Sequence, residues 1–128
     1  FNMIMDKVRD ADYFIFTAPI FYNDIAGHSK MFLDRFGSLG NDINLEMKEK
    51  KSLLMITHFS DYINDFVIKN THRVIVSANF KVNKILDIGG LLTKRFTEDE
   101  LESFEDIGYE LDDYEVIPNE LDLDSATV

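Results

Sequence analysis

The sequence lacks the residues and runs that several classes of protein need. None of its 128 residues is cysteine, which excludes a disulfide framework, a thiolate nucleophile and a cysteine-ligated cluster within them. No apolar run approaches the length of a membrane span, and no basic stretch precedes a long apolar one, so neither a transmembrane helix nor a secretory signal is predicted. We therefore expect a soluble, cytoplasmic protein that does not bind a membrane.

Basic residues are missing from the end of the chain. All 13 cationic residues and 11 of the 24 acidic ones lie in residues 1–95, so this part carries a charge of +2 and the remainder carries −13. An acidic balance argues against nucleic acid as a partner, because nucleic acid requires a basic face. The length and the 45% hydrophobic content suffice for one core. We expect one domain over residues 1–111 and an acidic, loosely ordered tail over residues 112–128.

The stretch from residue 12 to residue 35 has the pattern of a strand, a loop and a helix. Residues 13–18 form an uninterrupted apolar run, which predicts a strand buried on both faces. Pro19 has no amide hydrogen and should end this strand, so a loop is predicted over residues 20–26. Residues 27–36 show helical spacing, with Lys30 and Asp34 placed to interact. These are the parts of an α/β unit, in which ligands bind beyond the carboxyl ends of the strands.

The rest of the chain repeats this alternation. Two further strands are predicted over residues 52–57 and 84–88, and helices over residues 1–11, 61–79 and 98–111. The helix over 61–79 contains many β-branched residues, and its segment 73–77 could instead be a strand. Thr97 and Glu100 have the spacing of a capping box, which marks the start of the last helix. The fold class that follows is α/β with a parallel sheet.

Residues 17–35, TAPIFYNDIAGHSKMFLDR, resemble the signature of the NADPH-dependent FMN reductase and iron-sulfur flavoprotein group of the flavodoxin-like superfamily. Six residues fall on that pattern: Pro19, Gly27, Lys30, Phe32, Asp34 and Arg35. Phe21 stands where the group usually has Tyr, and Tyr22 follows one position later. Ala26 and Ser29 depart from the pattern, which usually has Ser and Leu there.

This resemblance implies a flavodoxin-like three-layer sandwich with five parallel strands, of which the chain supplies the third to the fifth. The chain would then be a fragment or a truncated homologue without the first two strands and the loop that grips the FMN phosphate. Its first strand would lie at an open edge, which favours self-association. The implied function is an FMN-dependent NAD(P)H oxidoreductase, either a flavin or quinone reductase or an electron-transfer flavoprotein, in a homo-oligomer.

The resemblance also implies a flavin-ring site made by two loops at strand ends. Phe21 and Tyr22 would flank the ring, and His58 would tune it or donate a proton, although a surface histidine is the commoner case. No side chain is expected to be catalytic, and His28 and His72 are too far apart in sequence to suggest a metal site. The expected cofactor-binding residues are Ala18, Pro19, Ile20, Phe21, Tyr22, Asn23, Asp24, Thr57, His58 and Phe59.

A non-catalytic alternative stays open. A truncated flavodoxin-like module that has lost FMN could serve as an interaction domain, with the acidic tail as its contact surface. The lack of a glycine-rich or Ser/Thr-rich phosphate loop in the sequence favours this alternative. Retention of the APIFY loop, residues 18–22, favours the flavoprotein.

Overall fold

The computed structural model describes residues 2–22, 24–38, 50–60, 65–78, 80–91 and 95–118. Within these ranges the chain forms helices α1 (Asn2–Asp10), α2 (Gly27–Ser38), α3 (Asp65–Ser77) and α4 (Glu98–Glu110). The strands are β1 (Tyr13–Phe21), β2 (Asp24–Ile25), β3 (Lys51–Thr57) and β4 (Lys84–Ile88). Within the described ranges, every helix is too short or too polar to cross a membrane.

The four strands form one open sheet in the order β2-β1-β3-β4. Strands β1, β3 and β4 run parallel and follow one another in chain order, with Ile15 beside Leu53 and Met55 beside Leu86. The short β2 is antiparallel and pairs only with the last two residues of β1. The predicted α/β class with a mostly parallel sheet is therefore confirmed, and the arrangement is consistent with part of a flavodoxin-like sandwich.

Helices α1, α2 and α3 cover one face of the sheet. Phe36 of α2 is fully buried at the centre of this layer, and its ring centroid lies 5.3 Å from that of Phe14, 5.5 Å from that of Phe32 and 4.8 Å from that of Phe80. Because aromatic side chains bury large apolar areas, this group dominates the main core. The predicted ion pair between Lys30 and Asp34 on the outer side of α2 is present.

Helix α4 covers the opposite face, over β3 and β4. Phe104 and Ile107 pack against Leu53 and Leu86 in a second, smaller core. The predicted capping box at the start of α4 is confirmed, since the Thr97 hydroxyl accepts a hydrogen bond from the amide of residue 100 at 3.1 Å. Helices therefore lie on both faces, as expected for a parallel sheet.

The prediction that the first strand is buried on both faces is wrong. Phe14, Phe16 and Ala18 point toward the helices that form the main core, but Ile15 on the other face is 58% exposed. An apolar run shows that a strand is hydrophobic but does not show what covers each of its faces. Here α4 packs over β3 and β4, so Ile15 of β1 stays exposed on that face of the sheet. Among the described strands, none pairs with residues 13–18 on the side away from β3, so the expected open edge is present in this part of the chain.

The prediction that β1 ends at Pro19 is also wrong, because the strand continues to Phe21. Pro19 lies in register with Thr57, and its carbonyl accepts a hydrogen bond from the amide of Ala26 at 2.9 Å, on the side of β2. The nitrogen of a strand residue points the same way as its carbonyl, so the missing amide hydrogen of Pro19 faces away from β3. A proline is tolerated there because the parallel ladder between β1 and β3 loses no hydrogen bond.

The segment that might have been a strand, residues 73–77, lies within α3. Ile75 is buried in the main core, and Val74 approaches α2 so closely that a Cβ added at Gly37 would lie 2.9 Å from its Cγ1. Packing against a neighbouring helix therefore overrides the low helix propensity of β-branched residues.

Residues 111–118 pack back against the sheet instead of leaving it. Tyr13 donates a hydrogen bond from its hydroxyl to Asp112 at 2.8 Å, Asn83 donates to the carbonyl of Tyr114 at 3.1 Å, and the amide of Ile117 donates to the carbonyl of Val82 at 2.8 Å. The expected boundary at residue 112 therefore does not coincide with the end of the packed structure. Residues 119–128 of the expected tail lie outside the described residues.

Candidate functional site

The carboxyl ends of the three parallel strands meet at one edge of the sheet and form a shallow apolar depression. Its volume is about 60 Å³. The depression brings together the two predicted loops, because β1 and β3 are neighbours in register from Tyr13 to Pro19. It is lined by Pro19, Ile20, Thr57, His58, Phe59 and Leu91.

A β-hairpin stands beside the depression where a loop was predicted over residues 20–26. Ile20 pairs with Ile25 and Phe21 with Asp24, so that prediction is wrong for these four residues. Local sequence did not reveal a two-residue strand whose pairing depends on its neighbour. Tyr22 follows β1 with a positive φ of 50°, and its side chain is fully exposed. A bulky residue in the left-handed region is strained, and such residues concentrate at functional sites.

His58, at the end of β3, is not the surface residue that its loop position suggested. It is 5% exposed, and both ring nitrogens have partners. Nδ1 lies 2.6 Å from the carbonyl oxygen of Ser60, and Nε2 lies 2.5 Å from Oδ1 of Asp87 on β4. Neither nitrogen is available to a ligand unless one of these hydrogen bonds breaks.

Backbone hydrogen bonds join the loop after β3 to the loop after β4. The amide of His58 donates to the carbonyl of Ile88 at 2.9 Å, and the amide of Gly90 donates to the carbonyl of Ser60 at 2.9 Å. The loop after β4 requires glycine at two positions, 89 and 90. A Cβ at Gly89 would lie 2.2 Å from Cε1 of His58, and Gly90 has a positive φ of 70°.

The structure places the predicted site residues in three groups. Five line the depression: Pro19, Ile20, Thr57, His58 and Phe59. Phe21, Tyr22 and Asp24 lie on the adjacent hairpin, and Ala18 is fully buried, so its side chain faces the core. Asn23 lies outside the described residues.

Sequence reasoning missed Leu91 and Asp87. Both belong to the third parallel strand or to the loop that follows it. The glycine pair 89–90, directly after that strand, was the signal that a third strand end contributes to the site. Parallel strands align their carboxyl ends, so the same argument that joined the first two loops applies to the third.

A larger cavity, of about 260 Å³, lies at the opposite end of the sheet beside Tyr13 and Lys51. Several of its polar groups are engaged within the chain: Tyr13 donates to Asp112, and the Lys50 ammonium donates to the carbonyls of Val8 and Arg9 at the end of α1. The hydrogen bond to the Asp112 carboxylate raises the pKa of Tyr13. We place the candidate site at the smaller depression, because open parallel sheets bind ligands at the carboxyl ends of their strands.

The walls of the depression are mainly apolar. Phe59, one of its lining residues, is largely exposed, and the fully exposed Tyr22 lies on the adjacent hairpin. Over the described ranges, no group of His, Asp or Glu side chains is arranged to hold a metal ion. Neither a scan of family models nor a search among curated proteins gives a match for this chain. The fold and the site together define an α/β domain with an apolar depression at the ends of its parallel strands.

Proposed function

We propose that this chain is part of a flavodoxin-like, FMN-dependent NAD(P)H oxidoreductase. The observation that carries the proposal is the depression beyond β1 and β3, with the strained, fully exposed Tyr22 on the adjacent hairpin. The tight hairpin requires a positive φ at this turn position, which Gly, Asn or Asp usually occupies, so an aromatic side chain there favours a selected role such as contacting a ligand.

The described residues fit a flavin ring better than a charged ligand. Pro19, Ile20, Thr57 and Phe59 contribute to a largely apolar lining, and Tyr22 presents an exposed aromatic side chain on the adjacent hairpin. FMN, when bound, would accept a hydride from a nicotinamide and pass electrons to a quinone, another flavin or a protein acceptor. The side chains named here would position the ring and keep water from one of its faces.

A depression of about 60 Å³ holds only part of a flavin. We assign the FMN phosphate to an additional strand, loop and helix that pair with the open edge of β1. Residues 13–18 leave that edge unpaired among the described strands, and the exposed Ile15 leaves room on the sheet beside α4. The extra unit would come from another part of the same polypeptide, and a homo-oligomer and a cytoplasmic location are also part of the proposal.

Titration with FMN and with riboflavin tests this function. We expect weak binding of both, with little preference for FMN, because a phosphate site at a helix N-terminus is assigned to the additional unit. The variant Y22A should weaken binding, whereas Y109A, which removes an equally exposed type of side chain from α4, should leave it unchanged. Equal binding by wild type, Y22A and Y109A would contradict the site, and no binding of either flavin would contradict the function.

The open edge also favours a second candidate, the non-catalytic interaction module. An unpaired strand edge with exposed apolar side chains is a template for another strand. If this candidate is correct, the chain binds a partner through residues 13–18 and neither flavin changes its spectrum on addition.

A further inference from the structure

We propose that the larger cavity, at the amino ends of the parallel strands, binds a small apolar amino acid in its zwitterionic form. We call it the strand-start cavity, and its volume is about 260 Å³. The proposal goes beyond the proposed function, because this cavity lies at the end of the sheet opposite the depression and its ligand requires no flavin.

Hydrogen bonds within the chain hold the walls of the strand-start cavity in place. The buried side chain of Asn83 accepts from the amide of Ser52 at 3.0 Å and donates to the carbonyl of Tyr114 at 3.1 Å, so it joins β3 to the segment after α4. The ammonium of Lys50 donates to carbonyls in the last turn of α1. The cavity is therefore formed without a ligand, as is usual for small-molecule sites.

Two carboxylates of the lining act on the hydroxyl of Tyr13. Asp112 accepts a hydrogen bond from this hydroxyl at 2.8 Å, and Asp12 directly precedes β1. The hydrogen bond to Asp112 is the main cause that raises the pKa of Tyr13, and the negative charge of Asp12 contributes. A carboxylate has about four acceptor positions, so Asp112 can accept from a ligand ammonium as well as from Tyr13.

Two lysine ammonium groups of the lining have no partner. Lys51 begins β3 in register with Tyr13, and Lys81 precedes β4. Within the described ranges, neither lysine side chain forms a hydrogen bond or an ion pair, not even with the carboxylates that line the same cavity. The chain has a net charge of −11, and these lysines nevertheless stay free to bind the carboxylate of a ligand.

Charges of both signs around the strand-start cavity determine the class of ligand. A simple anion would meet the lysines but also the two carboxylates, and a simple cation would meet the same conflict in reverse. A zwitterion offers its ammonium to Asp112 and its carboxylate to Lys51 and Lys81, so each ligand charge has a partner. The phosphate of FMN has no positive group beside it, so the same carboxylates disfavour it.

The uncharged part of the lining favours an apolar side chain on the ligand. Tyr13 is 48% exposed and Val116 is 45% exposed, so both offer apolar surface to the cavity. The cavity is smaller than the about 300–1,000 Å³ that is usual for drug-sized ligands, and this suits a ligand of the size of an amino acid.

Titration with L-leucine and two analogues tests the class of ligand. Isocaproate is leucine without its ammonium group, and isoamylamine is leucine without its carboxylate. We expect L-leucine to change the amide chemical shifts of Tyr13, Lys51, Asn83 and Val116 and to bind at least about tenfold more tightly than either analogue. Binding of either analogue as tightly as L-leucine would overturn the proposal. The absence of changes at these amides at millimolar L-leucine would overturn it too.

Charge-removing variants separate ligand contact from an effect on structure. K51Q and K81Q each remove a positive charge, and D112N removes a negative charge but keeps an oxygen that can accept from the Tyr13 hydroxyl. Each variant should weaken L-leucine binding by about threefold to tenfold. K51Q and K81Q should also weaken isocaproate, whereas D112N should strengthen isocaproate and weaken isoamylamine. A purely structural effect would weaken all three ligands alike and would overturn the proposal.

K69Q in α3 and D106N in α4 are the matched controls, because both change exposed charged side chains away from the cavity. Both should bind L-leucine as wild type does. Equal effects of K51Q and K69Q, or of D112N and D106N, would contradict the site. The titration contains no flavin and follows amides at the end of the sheet opposite the depression, so its failure is distinct from a failure of the flavin proposal.

Discussion

Substitution of Gly89 by alanine would test how the two site loops depend on the His58 ring. The added Cβ would lie 2.2 Å from Cε1, 2.8 Å from Nε2 and 2.9 Å from Nδ1 of that ring. Gly89 does not adopt a positive φ, so alanine fits its backbone and the substitution tests space alone. The ring must leave its position, and both of its hydrogen bonds are lost.

The expected loss of stability follows from those two bonds. A typical hydrogen bond contributes about 0.5–1.5 kcal/mol and one to a charged group about 1.5–3 kcal/mol, so G89A should lower the free energy of unfolding by roughly 2–4 kcal/mol. That is a large part of the about 5–15 kcal/mol that stabilises a typical domain. The matched control is G108A in α4, where an added Cβ meets nothing within 4 Å. Alanine within a helix should stabilise by roughly 0.5–1 kcal/mol relative to glycine.

Urea unfolding followed by circular dichroism measures both variants. The midpoint should fall for G89A and rise for G108A, with the slope of each transition unchanged. If G89A is as stable as wild type, the ring has another position of equal energy and the inferred role of Gly89 is refuted.

Three further substitutions test the core, the hairpin and a buried histidine. F36A should destabilise by about 3–5 kcal/mol in urea unfolding, because Phe36 is fully buried, whereas F59A, which changes a mostly exposed ring, should stay within about 0.5 kcal/mol. Y22G should stabilise the chain by about 1 kcal/mol, because glycine adopts the positive φ of position 22 without strain, and it should weaken flavin binding. If Y22G is less stable than wild type, the inference that Tyr22 is strained is contradicted. Burial lowers the pKa of His72 below its ordinary value of 6.5. The folded state therefore binds the proton less readily than the unfolded state, and stability should fall as pH drops below about 6.5, a loss that H72M should reduce. Equal pH dependence in wild type and H72M would refute this.

Local patterns in the sequence were sufficient to predict most elements of the fold. Apolar runs and the capping box gave β3, β4 and α4 to within one residue at each end. The course of β1 beyond Pro19 could not be predicted, because it depends on which side of the sheet the proline nitrogen faces. The short β2 was missed for a related reason, since a two-residue strand exists only through its pairing with β1.

The meeting of the two strand-end loops was predictable from the sequence, but the contacts within the candidate site were not. The rule that parallel strands align their carboxyl ends brought Pro19 and Thr57 together correctly. The contact between His58 and Asp87 spans 29 residues of sequence, and no local pattern indicates it. Burial of His58 likewise depends on Gly89 from another strand end.

Mapping of amide chemical shifts during titration with FMN tests the central claim most directly. The flavodoxin-like proposal predicts that the shifts change at the depression and the hairpin, from Ile20 to Tyr22 and from Thr57 to Phe59, and that these changes are lost in Y22A. Residues at the opposite end of the sheet, such as Tyr13, Lys51 and Asn83 around the larger cavity, should not respond. Changes confined to that opposite end, or no changes at saturating FMN, would contradict the assignment of this chain as part of a flavoprotein.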